Sequence, residues 1–181
     1  MCAILNGKSI DTSMGFTPLE GLIMGTRSGD IDAGVIFYFS DVLGWSTKQI
    51  QTMLFTESGL KGLAGESDVR ALLEREVRGD KRAKFALDIF AYRFKKYVGA
   101  YFGALNGLDI LVLGGGISRA PRMRARLLSN LECFGIEPDN SKLSCPAPIL
   151  LSCGKVPVLV LETDEQEALY QAAQAFLEKK R

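Results

Sequence analysis

Apolar residues recur every three or four positions along much of this chain, the spacing of helices that bury one face. The longest such stretch covers residues 80–106. Its apolar positions are Ala83, Leu87, Phe90, Phe94, Val98, Tyr101 and Leu105. The tyrosines Tyr92, Tyr97 and Tyr101 of this stretch are interpreted as packing residues. Shorter stretches of the same kind predict helices over residues 31–43, 46–55, 69–77, 121–134 and 165–180.

Two short, nearly unbroken apolar runs are typical of strands that are buried on both faces of a sheet. They cover residues 110–113 and 156–162. The first run is followed by the glycine loop 114–118 and then by the predicted helix 121–134. In parallel α/β sheets, this order holds a nucleotide phosphate or ribose near a helix N-terminus. Strands that alternate with helices predict an α/β domain.

Turn and capping residues predict where several elements begin and end. Asn6–Gly7 tolerates the positive φ of a tight turn and predicts a β-hairpin over residues 1–11. The segment 58–65 contains several glycines and predicts a loop. Pairs typical of helix N-termini precede three of the predicted helices: Ser46 with Gln49, Ser67 with Asp68, and Asp164 with Glu167.

Length and charge limit the possible partners. The chain has 181 residues, which favours a single domain over residues 1–181. Its 22 basic and 21 acidic side chains give a net charge of +1, so no overall field attracts nucleic acid or an anionic membrane. We therefore expect neither as a partner. One local basic run is explained either by a solvated helix face or by a patch for RNA or an acidic partner: Arg119, Arg122, Arg124 and Arg126.

Cysteine usage and hydropathy bear on the cellular location. The four cysteines form no Cys-x-x-Cys pair, and the chain contains no histidine, the commonest partner in a mixed zinc site. Free thiols, buried or half-buried, in a reducing cytosol are the simplest interpretation. No apolar stretch approaches the roughly 18 residues of a membrane span. The sequence predicts a soluble, cytoplasmic protein.

The segment Asp11–Asp32 is polar and rich in glycine, yet it carries apolar residues that would hold it against a core. At its centre, Arg27 lies between Gly25 and Gly29. The glycines allow a tight bend that brings a guanidinium and backbone N–H groups to one small anion, a phosphate or a carboxylate. An arginine that donates to carbonyl oxygens of its own turn would explain the same spacing.

Taken whole, the segment DTSMGFTPLEGLIMGTRSGDID resembles the characteristic loop of the acetate kinase family. Further similarity lies at Ser58–Gly62, Phe90–Tyr101, Gly115–Ile117 and Thr163–Glu165. The resemblance covers nearly the whole chain, but only the C-terminal half of a family member. It implies an α/β domain of the actin-like ATPase (ribonuclease H-like) fold. It also implies phosphoryl transfer between ATP and a short-chain carboxylate such as acetate.

For two residues the resemblance implies a direct part in this reaction. Arg27 would stabilise the transferring phosphoryl group. Glu165 would take part in binding the Mg²⁺ that accompanies ATP. From the residues alone, Glu165 is also explained as an acid that complements the dipole of the helix it begins.

Nucleotide-binding residues are implied as well. Asp68 and Arg70 match an element that holds the nucleoside, with one residue deleted just before Asp68; an N-cap and a surface cation would explain them too. At the adenine end, Gly-Gly-Ile-Ser-Arg-Ala replaces the family's Gly-Gly-Ile-Gly-Glu-Asn, which affects the expected nucleotide affinity. The cofactor-binding residues expected in this loop are Gly115, Gly116 and Ile117.

The family's first domain supplies groups that this sequence lacks, among them histidines at the reaction centre and a His-Leu-Gly-Asn-Gly motif. We therefore expect an acyl kinase half that works with a complementing N-terminal domain or as a homo-oligomer. Two other interpretations stay open. One is a degenerate nucleotide-binding domain without turnover, and the other is a structural domain that pairs with another chain.

Overall fold

The structure is a computed structural model that describes residues 1–178, apart from the side chain of Glu165. The strands are β1 Cys2–Leu5, β2 Lys8–Thr12, β3 Leu111–Leu113, β4 Ile149–Leu150 and β5 Val158–Val160. The helices are α1 Gly34–Phe37, α2 Thr47–Thr56, α3 Gly59–Ala64, α4 Val69–Val77, α5 Lys81–Leu105, α6 Pro121–Leu128 and α7 Glu165–Glu178. A π-helical turn, Tyr38–Val42, continues α1, and 3₁₀ turns cover Gly116–Arg119, Glu132–Phe134 and Asn140–Lys142.

The predicted hairpin is confirmed. β1 and β2 pair antiparallel, with Cys2 opposite Thr12. Asn6 and Gly7 between them have φ of 51° and 75°, the left-handed values that a two-residue hairpin turn requires. The hairpin lies against α5, so its position is set by the core as well as by its own turn.

The second sheet has the strand order β3-β5-β4. β3 and β5 are parallel, with Leu111 opposite Val158, and β4 is antiparallel to β5. The strands expected at 110–113 and 156–162 are therefore present, whereas β4 has no counterpart in the prediction because its two residues carry no periodicity. The prediction that the run 110–113 is buried on both faces is wrong. Val112 is 50% exposed, since no described element covers its side of β3.

The long helix α5 lies at the centre of the core. Asp80 caps its N-terminus and Asn106, with φ of 56°, ends it. The predicted apolar stripe is buried from Ala83 to Tyr101, and α3, α4 and α6 pack against α5. The packing interpretation holds for Tyr101, which is 7% exposed, but is wrong for Tyr92, which is 63% exposed. An aromatic residue on a helix need not lie on its buried face.

Three predicted segments differ from the structure. The helix expected over 31–43 is reduced to α1 and the π-helical turn, and the one expected over 121–134 is limited to α6. The segment 58–65 is not a loop, because α3 occupies most of it, with Leu60 and Ala64 buried. Packing of this helix against α5 outweighs the poor helix propensity of its glycines.

The basic run is a solvated face only in part: Arg119 and Arg122 are exposed, whereas the other two arginines are not. Arg124 is 3% exposed and donates to backbone carbonyl oxygens. Arg126 forms an ion pair with Glu76. Sequence spacing could not reveal these partners, because they come from other elements.

The four cysteines are free, as expected, but they are exposed rather than buried. Within residues 1–178, none of the helices combines the length and hydropathy that a membrane span requires.

Candidate active site

The start of α3 anchors the Arg27 loop, the part of the segment Asp11–Asp32 that surrounds Arg27. The N–H groups of Leu60 and Lys61 donate to the carbonyl oxygens of Met24 (3.0 Å) and Gly25 (2.8 Å). N–H groups in the first turn of a helix have no partner within the helix, so the loop supplies acceptors that these donors need. The backbone on the N-terminal side of Arg27 is fixed as a result.

Gly59 makes this close approach possible. Its φ is +64°, and a Cβ at this position would lie 2.2 Å from the Met24 carbonyl oxygen and 2.7 Å from that of Arg27. A larger residue would therefore meet both a backbone strain and a collision with the loop. Gly59 therefore serves contact with the Arg27 loop rather than flexibility.

Asp30 holds the other end of the loop. Its carboxylate accepts from the N–H of Gly21 (2.7 Å) and the hydroxyl of Tyr97 (2.8 Å), and it forms an ion pair with Arg93. Burial and the bonded Asp30 carboxylate raise the pKa of Tyr97 to about 12. Two groups from the centre of α5 thus fix the loop relative to the core.

Sequence reasoning missed the part that Asp30, Arg93 and Tyr97 play together. A signal was present, because Arg93 and Tyr97 are four residues apart and so share one face of the predicted helix. Nothing in the sequence links that face to Asp30, which lies 63 and 67 positions away along the chain.

The Arg27 guanidinium is half-buried and donates locally. Its Nη1 atom lies 3.2 Å from the Pro18 carbonyl oxygen and 3.9 Å from the Met24 sulfur. This is the local carbonyl contact that spacing left open. Both contacts come from Nη1, and Nε and Nη2 make no hydrogen bond with the residues that the structure describes.

The Arg27 loop borders a second feature, a cleft of about 540 Å³. Contact is made through Gly25, where a Cβ would lie 3.3 Å from the Ser67 Cβ. Ser67 lines the cleft, which joins the start of α4 to the turn that follows β3. The lining residues are Ser67, Asp68, Val69, Arg70, Gly116, Ile117, Arg119 and Ala120.

The cleft brings together four residues predicted to bind the nucleotide: Asp68, Arg70, Gly116 and Ile117. Gly115 precedes them in the same turn, with φ of +74°, and a Cβ at Gly115 or Gly116 would meet no atom within 4 Å. The turn therefore presents bare backbone to open space, as a surface against a planar base or a ribose requires.

Asp68 caps α4 and also faces the cleft. Its carboxylate accepts from the Arg70 N–H (2.8 Å) and from the Arg70 guanidinium, with 2.7 Å to Nη2. The bonded guanidinium lowers the pKa of Asp68 to about 2. The N-cap interpretation is thus confirmed, and it is compatible with a place in the cleft because the Arg70 side chain is 84% exposed.

The carboxyl ends of the parallel strands β3 and β5 meet beside the cleft. A Cβ at Gly114 would lie 3.0 Å from the Thr163 methyl group. Asp164 caps α7 through the Glu167 N–H at 2.9 Å, as predicted. Glu165 is the first residue of α7, but its side chain is outside the described residues. Among the side chains that are described, no group of three or more His, Cys, Asp and Glu could hold a metal ion.

Comparison with known proteins identifies the family. The profile described as the acetokinase family matches residues 1–171. The chain belongs to the acetokinase family. Acetate kinase from Arthrobacter sp. (strain FB24) is 46% identical over 178 residues, which are 96% of this chain and 46% of that protein. For acetate kinase from Oleidesulfovibrio alaskensis the identity is 42%, over 96% of this chain and 44% of that protein.

Solved structures of acetokinases agree with this fold. Acetate kinase from Porphyromonas gingivalis superposes with a TM-score of 0.92 and 36% identity, over 97% of this chain and 46% of that one. A propionate kinase from Francisella tularensis gives 0.86 and 43%, over 91% and 43%. The expected actin-like ATPase fold is confirmed. The chain spans about half the length of the relatives it matches.

Proposed function

We propose that this chain is one domain, residues 1–181, of a cytoplasmic kinase that transfers a phosphoryl group from ATP to a short-chain carboxylate. One observation carries the proposal. The Arg27 loop borders, through Gly25 and Ser67, the cleft that contains Asp68 and Gly116. A nucleotide whose base lies in that cleft would direct its phosphates out of the cleft, towards the Arg27 loop and its guanidinium.

The chemistry suits a chain without histidine. A short carboxylic acid is already ionised near neutral pH, so no base has to generate the nucleophile. A carboxylate oxygen forms a bond to the γ-phosphorus while the bond from that phosphorus to the bridging oxygen breaks, and ADP leaves with the electron pair. Arg27 would neutralise charge on the transferring group through its Nε and Nη2 donors.

The described residues fit a nucleotide better than they fit a metal ion. The cleft is large enough for a nucleoside, has glycine backbone on one wall and carries the arginines Arg70 and Arg119. Mg²⁺ would come with the ATP phosphates, neutralise their charge and be held in part by Glu165. The described side chains include no group of three or more His, Cys, Asp and Glu that would hold the ion without the phosphates.

The second candidate is a nucleotide-binding domain without turnover, and Arg27 favours it through its contact with the Pro18 carbonyl oxygen. The two candidates differ in what the chain does with a partner. A kinase half would need a complementing N-terminal domain, or a second copy, to supply the opposite side of the reaction centre.

Two measurements test the proposal. Calorimetry with Mg·ATP should detect binding by the chain, which Arg70→Ala should weaken and the exposed-site control Arg122→Ala should leave unchanged. Absence of any nucleotide binding would favour a purely structural domain.

Turnover is measured with the chain produced together with the part of the Arthrobacter acetate kinase that it does not match, by trapping acyl phosphate with hydroxylamine. Arg27→Ala and Arg27→Lys should both lower the rate by about a thousandfold, because a point charge cannot replace the planar guanidinium. Wild-type turnover by Arg27→Ala would remove Arg27 from the mechanism.

A further inference from the structure

Arg119 lines the cleft that is proposed to hold the nucleotide, and the rest of the chain does not engage its guanidinium. The side chain is exposed, and it makes no hydrogen bond or ion pair with the residues that the structure describes. Arg119 also lines a smaller cavity of about 260 Å³, so it lies at the boundary between that cavity and the cleft. Its donors are therefore free for a ligand in the cleft.

The acidic residue of the cleft, in contrast, has no acceptor left for a ligand. The Asp68 carboxylate accepts from the Arg70 N–H (2.8 Å) and from Nη2 of the Arg70 guanidinium (2.7 Å). Nε of Arg70 is shared between the two carboxylate oxygens, at 3.1 and 3.2 Å. A carboxylate has about four lone-pair sites, so these contacts use its capacity, and Asp68 does not provide an acceptor for a bound base.

The turn that carries Arg119 is also short of free acceptors. The Gly115 carbonyl oxygen accepts from the Ser118 hydroxyl at 2.8 Å. The carbonyl oxygens of Ser118 and Ala120 accept from Nε and from the N–H of Arg124. Ala120 caps α6 without a side-chain hydrogen bond, so it supplies no acceptor to the N–H groups of the first turn. Around Arg119, the wall of the cleft thus offers donors rather than acceptors.

Such a wall distinguishes purine bases by the edge that carries N7 and the substituent at C6. In guanine and hypoxanthine, O6 and N7 are neighbouring acceptors that match two N–H groups of one guanidinium. In adenine, the amino group at C6 is a donor and needs an acceptor in the same place. Because a guanidinium has donors only, Arg119 suits a 6-oxopurine and opposes the adenine amino group.

We propose that the cleft selects a 6-oxopurine nucleoside triphosphate, GTP or ITP, over ATP, and that Arg119 determines this preference. The inference rests on the proposed function, in which the base lies in the cleft and the phosphates point towards the Arg27 loop. Ser67 borders that loop through Gly25, whereas Arg119 belongs to the turn after β3 that forms the other wall. The phosphoryl transfer itself is unchanged, because the base takes no part in it.

Calorimetry of the full chain with Mg·GTP, Mg·ITP and Mg·ATP measures the preference. GTP and ITP should each bind about tenfold more tightly than ATP, the factor expected of one bidentate contact to a base. ITP lacks the 2-amino group of GTP and keeps O6 and N7. A preference for GTP that ITP does not share would therefore overturn the proposed contact.

Two substitutions separate a contact to the base from a general effect of charge. Arg119→Gln should reverse the preference, because a glutamine amide can donate to N7 and accept from the adenine amino group. Arg119→Ala should make the affinities for GTP and ATP equal. Arg122→Gln removes the same charge from an exposed position outside the cleft and should keep the wild-type ratio. Since Arg119 has no partner among the described residues, neither of its substitutions should lower the thermal midpoint.

The inference is overturned if ATP binds as tightly as GTP. It is also overturned if Arg119→Ala weakens all three nucleotides by the same factor, since Arg119 would then lie against the phosphates or stack on any base. Nucleotide binding without a preference would contradict this inference and leave the proposed kinase function in place. Absence of binding by every nucleotide would contradict both.

Discussion

The Tyr97 hydroxyl donates a 2.8 Å hydrogen bond to the Asp30 carboxylate. This bond ties the middle of α5, the longest element of the core, to the end of the loop that carries Arg27. The opposite end of the loop is tied to α3. The position of Arg27 therefore depends on two helices, α3 and α5, that are distant from the loop in sequence.

Tyr97→Phe removes that bond and keeps the ring. We expect the free energy of unfolding to fall by about 1 kcal/mol, since Arg93 still pairs with Asp30. The pKa of Tyr97 is raised in the folded state, so the advantage of the wild type is complete below pH 10.0 and is lost as the pH rises towards 12. Urea unfolding of both proteins across this pH range measures the difference in stability.

The matched control is Tyr92→Phe, on the same helix but 63% exposed. It should change stability by less than about 0.5 kcal/mol. Equal effects of the two substitutions would show that the Tyr97 bond does not hold the loop.

Gly59→Ala should destabilise the domain by more than about 2 kcal/mol. The left-handed backbone of Gly59 is strained for alanine, and the new Cβ would collide with the Met24 carbonyl oxygen. Thermal unfolding measures the cost. Gly103→Ala is the control, because Gly103 lies in α5 and a Cβ there meets open space; it should be neutral or stabilising. A tolerated Gly59→Ala would contradict the close approach of α3 to the loop.

Arg124→Ala should lower the free energy of unfolding by about 3 kcal/mol or more. The Arg124 side chain donates to the carbonyl oxygens of Ser118, Leu143 (2.9 Å) and Cys145 (2.7 Å). Its removal leaves buried acceptors without partners. Arg122→Ala on the exposed side of α6 should cost less than about 0.5 kcal/mol. Denaturant unfolding of the two variants measures whether their free energies of unfolding differ as the burial of the two arginines predicts.

The carboxyl group of Asp68 should titrate near pH 2 in the wild type, followed by carboxyl carbon NMR, because the bonded Arg70 guanidinium lowers its pKa. In Arg70→Ala the midpoint should rise towards the ordinary value of 3.8. The folded pKa is depressed, so the contribution to stability is present above pH 3.8 and is lost as the pH falls towards 2. An unchanged midpoint in Arg70→Ala would assign the shift to the backbone N–H groups at the N-cap.

The local sequence was sufficient to predict features that depend only on contacts between neighbouring residues. The turn at Asn6 and Gly7 follows from their tolerance of positive φ, and the cap at Asp68 follows from its place before an amphipathic stretch. The capping box of Ser46 and Gln49 is also confirmed. In each case the interacting groups lie within a few residues of each other, so the chain need not fold for the pattern to be visible.

The candidate site was predictable only through the resemblance to a family. Residue spacing alone left two interpretations of Arg27 open, an anion site and a local contact with carbonyl oxygens. No periodicity connects Asp68 with Gly116. The roles assigned to Arg27, Asp68, Arg70 and Glu165 stay predictions until they are measured.

The sequence by itself determined the α/β class, the long central helix, the hairpin and the helix caps, because hydrophobic periodicity and capping act over a few residues. Tertiary structure alone decided that α3 is a helix against the Arg27 loop, that Asp30 meets Tyr97 and that Arg124 is buried. It also decided that Val112, in the middle of β3, is 50% exposed. These depend on groups brought together across tens of residues, and their energies come from packing and from backbone groups whose partners no local pattern specifies.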